Sequence, residues 1–129
     1  MLTEFCVYTI ASRDRLNPAA LERAPFVNQE SRTWKAAVGL LAEGARSERR
    51  LLIVLADAKD CSRLLYWGLL EGIDLLDRKT EHRVDRLRAL AGRHSPQELV
   101  LRSTGASIAP GFIRPYAICA TPSFLESDV

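Results

Sequence analysis

The longest apolar stretches of the chain lie in its middle, within residues 51–76. Residues 51–55 (LLIVL) are continuously apolar, and residues 64–76 (LLYWGLLEGIDLL) are largely apolar again after the polar residues 57–63. A short apolar run between polar turns is typical of a buried strand, and glycines inside the second run favour a bent or bulged strand over a helix. The pattern therefore predicts a β-hairpin over residues 51–76, around which the fold is organised.

The segments before this hairpin predict one strand followed by two helices. Residues 2–10 (LTEFCVYTI) are rich in β-branched and aromatic side chains, which favour a strand. Asn17 before Pro18 predicts the start of a short helix at residues 19–24. A longer helix is expected after Ser31, because apolar residues recur there at intervals of three and four. These residues are Trp34, Ala37, Val38, Leu41 and Ala45.

The segment after the hairpin, residues 80–91, fits either a helix or a strand, and its periodicity alone favours a helix. Ser95 and Glu98 have the spacing of a capping box, which predicts a short helix there. Residues 116–120 (YAICA) predict a last strand. The order of these elements indicates one mixed α/β domain that spans residues 1–129.

The composition is that of an ordinary globular protein. The 129 residues are 47% apolar and 26% charged, which suits one domain with a buried core. The formal net charge is only +2, but residues 76–102 carry seven basic and four acidic side chains, a local surplus of three. This surplus suits a polyanionic partner, and it equally suits a solvated face whose charges pair with each other.

Targeting and metal-binding patterns are absent from the sequence. No apolar run approaches the ~20 residues of a spanning helix, and no secretion signal is evident. The cysteines Cys6, Cys61 and Cys119 lack metal-like spacing, and so do the histidines His82 and His94. We therefore expect a soluble, cytoplasmic protein with no membrane partner, no metal and no cofactor, whose oligomeric state the sequence leaves open.

The sequence favours a binding protein over an enzyme. No dinucleotide-binding, P-loop, serine-hydrolase or zinc-peptidase motif is present. Cys61 lies beside Lys59 and Arg63, whose charges would lower the pKa of its thiol, although a cysteine in a turn often has no reactive role. The sequence therefore assigns no catalytic residue.

Aromatic side chains near basic ones are the positive signal for function. Tyr66 and Trp67 are adjacent, so on a strand they face opposite sides, one toward the core and the other toward a surface or cleft. A ring beside an arginine or lysine offers a base a stacking face and fixed donors, while rings on strands also commonly pack in cores. Arg114 precedes Pro115 and Tyr116, a place from which its guanidinium could clamp a phosphate.

The order of elements and two local patterns resemble the PUA-like superfamily, which includes the ASCH, EVE and YTH domains. Residues 66–74 (YWGLLEGID) are similar to the family's central hairpin, and residues 27–35 (VNQESRTWK) are similar in position to the polar segment that lines the EVE ligand cleft. The resemblance implies an α+β fold, a small PUA-like mixed β-barrel flanked by two or three helices, over residues 1–129. It also makes residues 81–89 a barrel strand, against their helical period.

The leading hypothesis for function is a nucleic-acid-directed binding module that recognises a modified or flipped base of RNA or DNA. The resemblance places its aromatic and basic cleft between the start of the long helix and the barrel. Eight residues supply the expected contacts: Trp34 and Trp67 for stacking on the base, Ser12, Asn28 and Thr33 for its edge, and Arg32, Lys35 and Arg114 for phosphate.

Two alternative functions remain open. The same cleft could belong to a small hydrolase of modified nucleosides, with Lys35 or Lys59 and Asp57 as polar catalysts. The amidohydrolase activity of some ASCH proteins is not implied, because residues 31–35 depart from the ASCH signature. The protein could instead be a non-catalytic interaction or oligomerisation module that uses the apolar segment 113–125.

Overall fold

The computed structural model describes residues 1–109 and 116–126. These residues form an α+β fold whose elements are, in chain order, β1 (Phe5–Ala11), α1 (Arg13–Glu22), β2 (Phe26–Glu30), α2 (Lys35–Ser47), β3 (Leu52–Asp57), β4 (Asp60–Leu76), β5 (Lys79–Val84), β6 (Arg88–Ala89), a 3₁₀ turn (Pro96–Glu98), β7 (Tyr116–Ala120) and α3 (Ser123–Glu126). None of the helices among these residues is long and apolar enough to cross a membrane.

Strand β4 organises the sheet, because it pairs with neighbours along its whole length. Its residues 60–69 pair with β3, and its residues 70–76 pair with β5. The register to β5 shifts between Leu70 and Gly72, and such a bulge bends a strand. The predicted hairpin with a bulged second strand is therefore confirmed, with only Ala58 and Lys59 connecting β3 to β4.

The seven strands form one mixed sheet in the order β2-β5-β4-β3-β1-β7, with the short strand β6 also paired to β4. Strands β1 and β3 are parallel, and the other strand pairs in the described chain are antiparallel. A parallel pair needs a long crossover connection. Here α1, β2 and α2 supply this connection. Only residues 31–34 separate the end of β2 from the start of α2, so these two points lie close together.

The sheet is open, which corrects the predicted mixed barrel. A barrel would need the two end strands, β2 and β7, to pair, and no such pairing exists within residues 1–109 and 116–126. Contacts between side chains, rather than backbone hydrogen bonds, connect the two ends of the sheet. The Thr9 hydroxyl of β1 donates to the Glu30 carboxylate of β2 at 2.8 Å, and the Trp34 indole stacks between rings of β5 and β7.

The core has two parts, one on each face of the sheet. Successive residues of a strand face opposite sides, so Ile53 of β3 packs in one cluster and Val54 in the other. Strand β3 is buried at every position, as its apolar run predicts. In β4, Trp67 is buried with Val54, whereas Tyr66 packs against the cluster that contains Ile53. The prediction that these two adjacent rings face opposite sides is confirmed.

The segment that fits both patterns, residues 80–91, forms strands rather than a helix. Thr80, His82 and Val84 point inward on β5 and are buried. Strands β2 and β4 pair on the two sides of β5, and these hydrogen bonds override the helical period. The single barrel strand that the resemblance implied over residues 81–89 is thus confirmed only in part: the chain forms β5 up to Val84 and the separate strand β6 at Arg88–Ala89, in an open sheet. The helix that periodicity favours is wrong.

Two other elements differ from the prediction, whereas β7 has the predicted bounds. Helix α1 begins earlier than expected, because the Ser12 hydroxyl, not Asn17, accepts a first-turn N–H, that of Asp14, at 3.3 Å. Pro18 lies inside this helix. Strand β2 was not predicted, because its sequence is mostly polar. Its residues nevertheless alternate between the two faces of the sheet, and Phe26 and Asn28 point inward.

Gly68 is expected to be essential for packing β4 against the segment after β5. A Cβ at Gly68 would lie 2.6 Å from the Arg86 carbonyl oxygen and closer still to the Val84 side chain. We expect Gly68→Ala to lower the free energy of unfolding by about 1–3 kcal/mol through overpacking. Gly39→Ala is the matched control, because Gly39 lies in α2 with nothing within 4 Å of a new Cβ. That change should raise stability by about 0.5–1 kcal/mol.

Denaturant unfolding followed by tryptophan fluorescence would measure both variants. An unchanged midpoint for Gly68→Ala would contradict the close approach at this position.

Candidate functional site

Three rings from distant parts of the chain form a continuous stack. Trp34 lies between His82 of β5, at 4.3 Å between ring centroids and 13° between planes, and Tyr116 of β7, at 4.7 Å and 12°. These separations and angles are those of stacked aromatic pairs. Both faces of the Trp34 indole are therefore covered, and its exposed fraction is 0%.

Hydrogen bonds at the start of α2 hold this stack in place. The backbone N–H of Trp34 donates to the Thr80 hydroxyl at 3.1 Å, and that hydroxyl donates to the Arg32 carbonyl at 2.6 Å. Trp34 occupies the N-cap position of α2 but makes no side-chain capping bond. The Tyr116 hydroxyl accepts the Ala37 N–H at 3.1 Å instead, which satisfies one of the free N–H groups of the first turn. Tyr116 is thus fixed both by stacking and by this bond.

A cleft of about 610 Å³, which we name the tyrosine cleft, lies beside this stack. The described residues that line it are Arg32, Thr33, Leu101, Arg102, Ser103, Tyr116, Ala117 and Ile118. The segment 100–102 runs along β7, because the Arg102 N–H donates to the Ile118 carbonyl at 2.9 Å. This pairing brings Arg102 to the same cleft as Tyr116. The volume lies within the usual range for small-molecule sites.

The tyrosine cleft is basic and carries one aromatic ring. Arg32 and Arg102 contribute guanidinium groups, Thr33 and Ser103 contribute hydroxyls, and none of the described lining residues is acidic. Burial raises the pKa of the Tyr116 phenol, against the opposing effects of the Ala37 N–H and Arg102. The phenol is therefore a neutral ring near pH 7, in the same cleft as the side chains of Arg32 and Arg102.

The His82 end of the stack contains polar atoms without a hydrogen-bond partner among the described residues. His82 has an exposed fraction of 0%, and neither of its ring nitrogens has a hydrogen-bond partner within the described residues. Burial, with a smaller effect of Arg15, lowers the pKa of His82 to about 4. His82 is therefore neutral at pH 7 and acts in the stack as an uncharged ring.

Glu30 is a half-buried titratable group near the stack. Burial raises its pKa, although the Thr9 hydroxyl, the Trp34 side chain and the charge of Arg32 act in the opposite direction. Arg32 thus acts on the pKa of Glu30 through its charge and also lines the tyrosine cleft.

Of the residues expected to bind the ligand, Arg32 and Thr33 line the tyrosine cleft. Ser12 caps α1. The Asn28 side-chain oxygen accepts a hydrogen bond from Arg15, and Lys35 is exposed at the first position of α2. The structure therefore brings two of these five polar residues into one cleft.

The two tryptophans do not share that cleft. Trp34 is covered on both faces, and Trp67 is 4% exposed in the other core cluster, with the Arg88 guanidinium 4.7 Å from its ring centroid. The ring that lines the cleft is Tyr116, which corrects the expected stacking role of Trp34 and Trp67. Their apolar area is used in the core, so neither presents a face to a ligand. Arg114 lies outside the described residues.

Sequence reasoning missed Arg102 and Ser103 as cleft residues. Arg102 belongs to the basic surplus of residues 76–102, so its charge was visible in the sequence. Its position was not, because it depends on the pairing of residues 100–102 with β7. Tyr116 had a signal in its neighbours Arg114 and Pro115, but only the stack on Trp34 distinguishes it from the other rings.

Three of the residues considered for catalysis or reactivity lie at the turn between β3 and β4, namely Asp57, Lys59 and Cys61. The Asp57 carboxylate accepts the backbone N–H of Lys59 at 3.2 Å and lies 3.4 Å from Arg13 Nε. Burial, together with the charges of Asp57 and Asp60, raises the pKa of the Cys61 thiol, the opposite of the expected lowering. Within the described residues, no three His, Cys, Asp or Glu side chains are grouped as metal ligands would be.

The segment proposed for oligomerisation, residues 113–125, is largely packed into the domain. From residue 116 onward it forms β7 and α3, Leu125 is fully buried, and Phe124 stacks on His94 at 3.7 Å. Residues 113–115 lie outside the described residues. The described part is therefore core rather than the exposed apolar tail that was expected.

No protein-family model matches the sequence, and no curated protein matches it. The PUA-like resemblance therefore stays an expectation drawn from the order of elements and the local patterns. The open seven-stranded sheet and the tyrosine cleft are the findings from which a function has to be inferred.

His82 should make the protein less stable as the pH falls from about 6.5 to about 4. The pKa of His82 is about 4 in the folded state, below the ordinary histidine value of 6.5 that applies to the unfolded chain. In that interval the unfolded state binds more protons, so stability is complete above pH 6.5 and is lost by up to about 3 kcal/mol toward pH 4. Denaturant unfolding at pH 7 and pH 4.5 would measure this loss.

The control is His82→Phe, which keeps a ring beside Trp34 but cannot titrate. Glu30 acts in the opposite direction, because its raised pKa favours the folded state as the pH falls, and it is present in both proteins. The difference between them isolates His82. An equal loss of stability in both proteins would contradict the burial of a neutral imidazole.

Proposed function

We propose that the protein is a nucleic-acid-directed binding module that takes a base of RNA or DNA into the tyrosine cleft. The observation that carries this proposal is the Tyr116 ring, supported from behind by Trp34 and lying in one cleft with Arg32 and Arg102. Tyr116 takes the stacking role, and the two arginines take the phosphate. Thr33 and Ser103 offer hydroxyls to the edge of the base or to the sugar.

Base recognition needs a flat face for stacking and fixed donors near its edge. Tyr116 meets the first need without a large loss of freedom on binding, because Trp34 and the Ala37 N–H already hold its ring. Arginine forks match phosphate oxygens in pairs. The absence of acidic residues from the described lining means that nothing there repels a phosphate.

The form of the cleft favours an unpaired base over an intact duplex. A volume of about 610 Å³ suits one nucleotide rather than a helix. Proteins that act on a single base take it from a single strand or flip it out of the stack. A modified or flipped base is therefore the ligand that we propose.

Binding is favoured over hydrolysis at this site. The described residues that line the cleft include neither a carboxylate nor an imidazole that could act as a general base. The hydroxyls of Thr33 and Ser103 would need such a group to become nucleophiles.

Replacing Tyr116 with Ala should weaken binding of a fluorescein-labelled single-stranded oligonucleotide by roughly 5- to 150-fold, the loss expected from about 1–3 kcal/mol of stacking. Tyr116→Phe should bind like the wild type, because it keeps the ring and removes only the hydroxyl that accepts the Ala37 N–H. Fluorescence anisotropy at one salt concentration, with DNA and RNA probes, would measure both. Wild-type affinity in a folded Tyr116→Ala protein would rule out stacking at this ring.

Arg32→Gln and Arg102→Gln should each reduce the salt dependence of the same binding reaction. Each phosphate contact on a single strand contributes about −0.7 to the slope of log K against log salt concentration. Each variant should therefore flatten the slope by about 0.7. Arg83→Gln is the control, since Arg83 lies outside the cleft and pairs with Glu71 at 3.5 Å. Identical slopes for all four proteins would exclude phosphate contacts at Arg32 and Arg102.

A further inference from the structure

A second cleft, of about 440 Å³, lies where the start of β4 meets the start of α1 and the segment before the 3₁₀ turn. We name it the arginine cleft. The described residues that line it are Arg13, Asp60, Ser62, Arg63, Arg93, His94, Ser95 and Glu98, none of which lines the tyrosine cleft. Three arginines from three separate segments thus share one cavity.

The two acidic residues of the arginine cleft are already occupied by local donors. The Asp60 carboxylate accepts the Ser62 hydroxyl at 2.6 Å and the Ser62 N–H at 3.2 Å. The Glu98 carboxylate bonds to His94 Nδ1 at 2.9 Å and accepts the Ser95 N–H at 2.7 Å. These bonds, first those of the Ser62 and His94 side chains, lower the pKa of Asp60 and of Glu98. The charge of Arg13 also lowers the pKa of Asp60, as a smaller cause. Neither carboxylate forms an ion pair with an arginine of the cleft.

The arginines, in contrast, keep most of their donors unused. Arg13 is oriented by the buried Asp57, whose Oδ2 lies 3.4 Å from Arg13 Nε, and its two terminal nitrogens bond to none of the described residues. The guanidinium groups of Arg63 and Arg93 are exposed and have no hydrogen bond, ion pair or ring contact within the described chain. A guanidinium has five N–H donors, so this cleft offers many donors and few free acceptors.

A backbone hydrogen bond joins the two chain segments that carry Arg63 and Arg93. The Leu64 N–H, next to Arg63, donates to the carbonyl of His94, next to Arg93, at 2.9 Å. The His94 ring in turn stacks on Phe124 of α3, at 3.7 Å and 3° between planes. The side chains of Arg63 and Arg93 both line the arginine cleft, and a bound anion would reduce the repulsion between their charges.

We infer that the arginine cleft is a phosphate-binding site, in which Arg13, Arg63 and Arg93 surround one phosphate group. Planar guanidinium forks match the oxygens of phosphate in pairs, which a set of lysines would not do. The phosphate belongs either to a free phosphate or phosphomonoester or to the backbone of a polynucleotide, and both sources offer the same oxygens to the cleft. The site does not require a base in the tyrosine cleft.

Titration of the ¹⁵N-labelled protein with inorganic phosphate, at ionic strength held constant with chloride, tests the inference. We expect saturable shifts of the amide signals of residues 62–64 and 93–95. Arg63→Gln combined with Arg93→Gln should weaken this binding roughly tenfold or more, because bonds to charged groups are lost. The charge-matched control combines Arg46→Gln with Arg86→Gln, two exposed positions outside both clefts.

The inference is overturned if phosphate causes no saturable shift, or if both double variants lose affinity equally, since the effect would then be one of net charge. A second titration with a single-stranded oligonucleotide identifies the source. Weaker oligonucleotide binding by the Arg63 and Arg93 double variant assigns the site to the nucleic-acid backbone. Unchanged oligonucleotide binding, with weaker inorganic phosphate binding, assigns it to a free phosphate group. The tyrosine-cleft proposal is judged separately, by Tyr116→Ala.

Discussion

The stack of His82, Trp34 and Tyr116 is the contact on which the fold and the candidate site both depend. Through the start of α2 it joins β5 to β7, two strands that lie far apart in the strand order. Backbone hydrogen bonds do not close the sheet between its end strands in the described chain, and the Trp34 indole packs in this region instead. The same packing sets the position and tilt of the Tyr116 ring in the tyrosine cleft.

This arrangement has a cost in stability. His82 buries two ring nitrogens that have no hydrogen-bond partner within the described residues, and an unsatisfied buried polar atom typically costs about 1–3 kcal/mol of stability. Stacking between the rings offsets part of that cost. The unpaired nitrogens belong to the ring on the far side of Trp34 from Tyr116.

The two clefts differ in the groups that their described residues offer to a ligand. The tyrosine cleft combines one ring with two guanidinium groups, which suits a base and its phosphate together. The arginine cleft has three guanidinium groups, and its one ring, that of His94, is stacked against Phe124, so it suits phosphate alone. In each cleft the arginines come from segments distant in sequence. The basic surplus of residues 76–102 therefore contributes Arg93 to one cleft and Arg102 to the other.

The sequence by itself determined the features that depend on local alternation. The hairpin of β3 and β4, the bounds of β7 and the opposite facing of Tyr66 and Trp67 follow from apolar runs and from the two-residue period of a strand. Only the tertiary structure decided that β2 forms in a polar segment, that the sheet stays open and that Trp34 is buried. These outcomes depend on which distant strands pair. A pattern along the chain gives the face of each side chain, but the partner across that face is set by contacts far away in sequence.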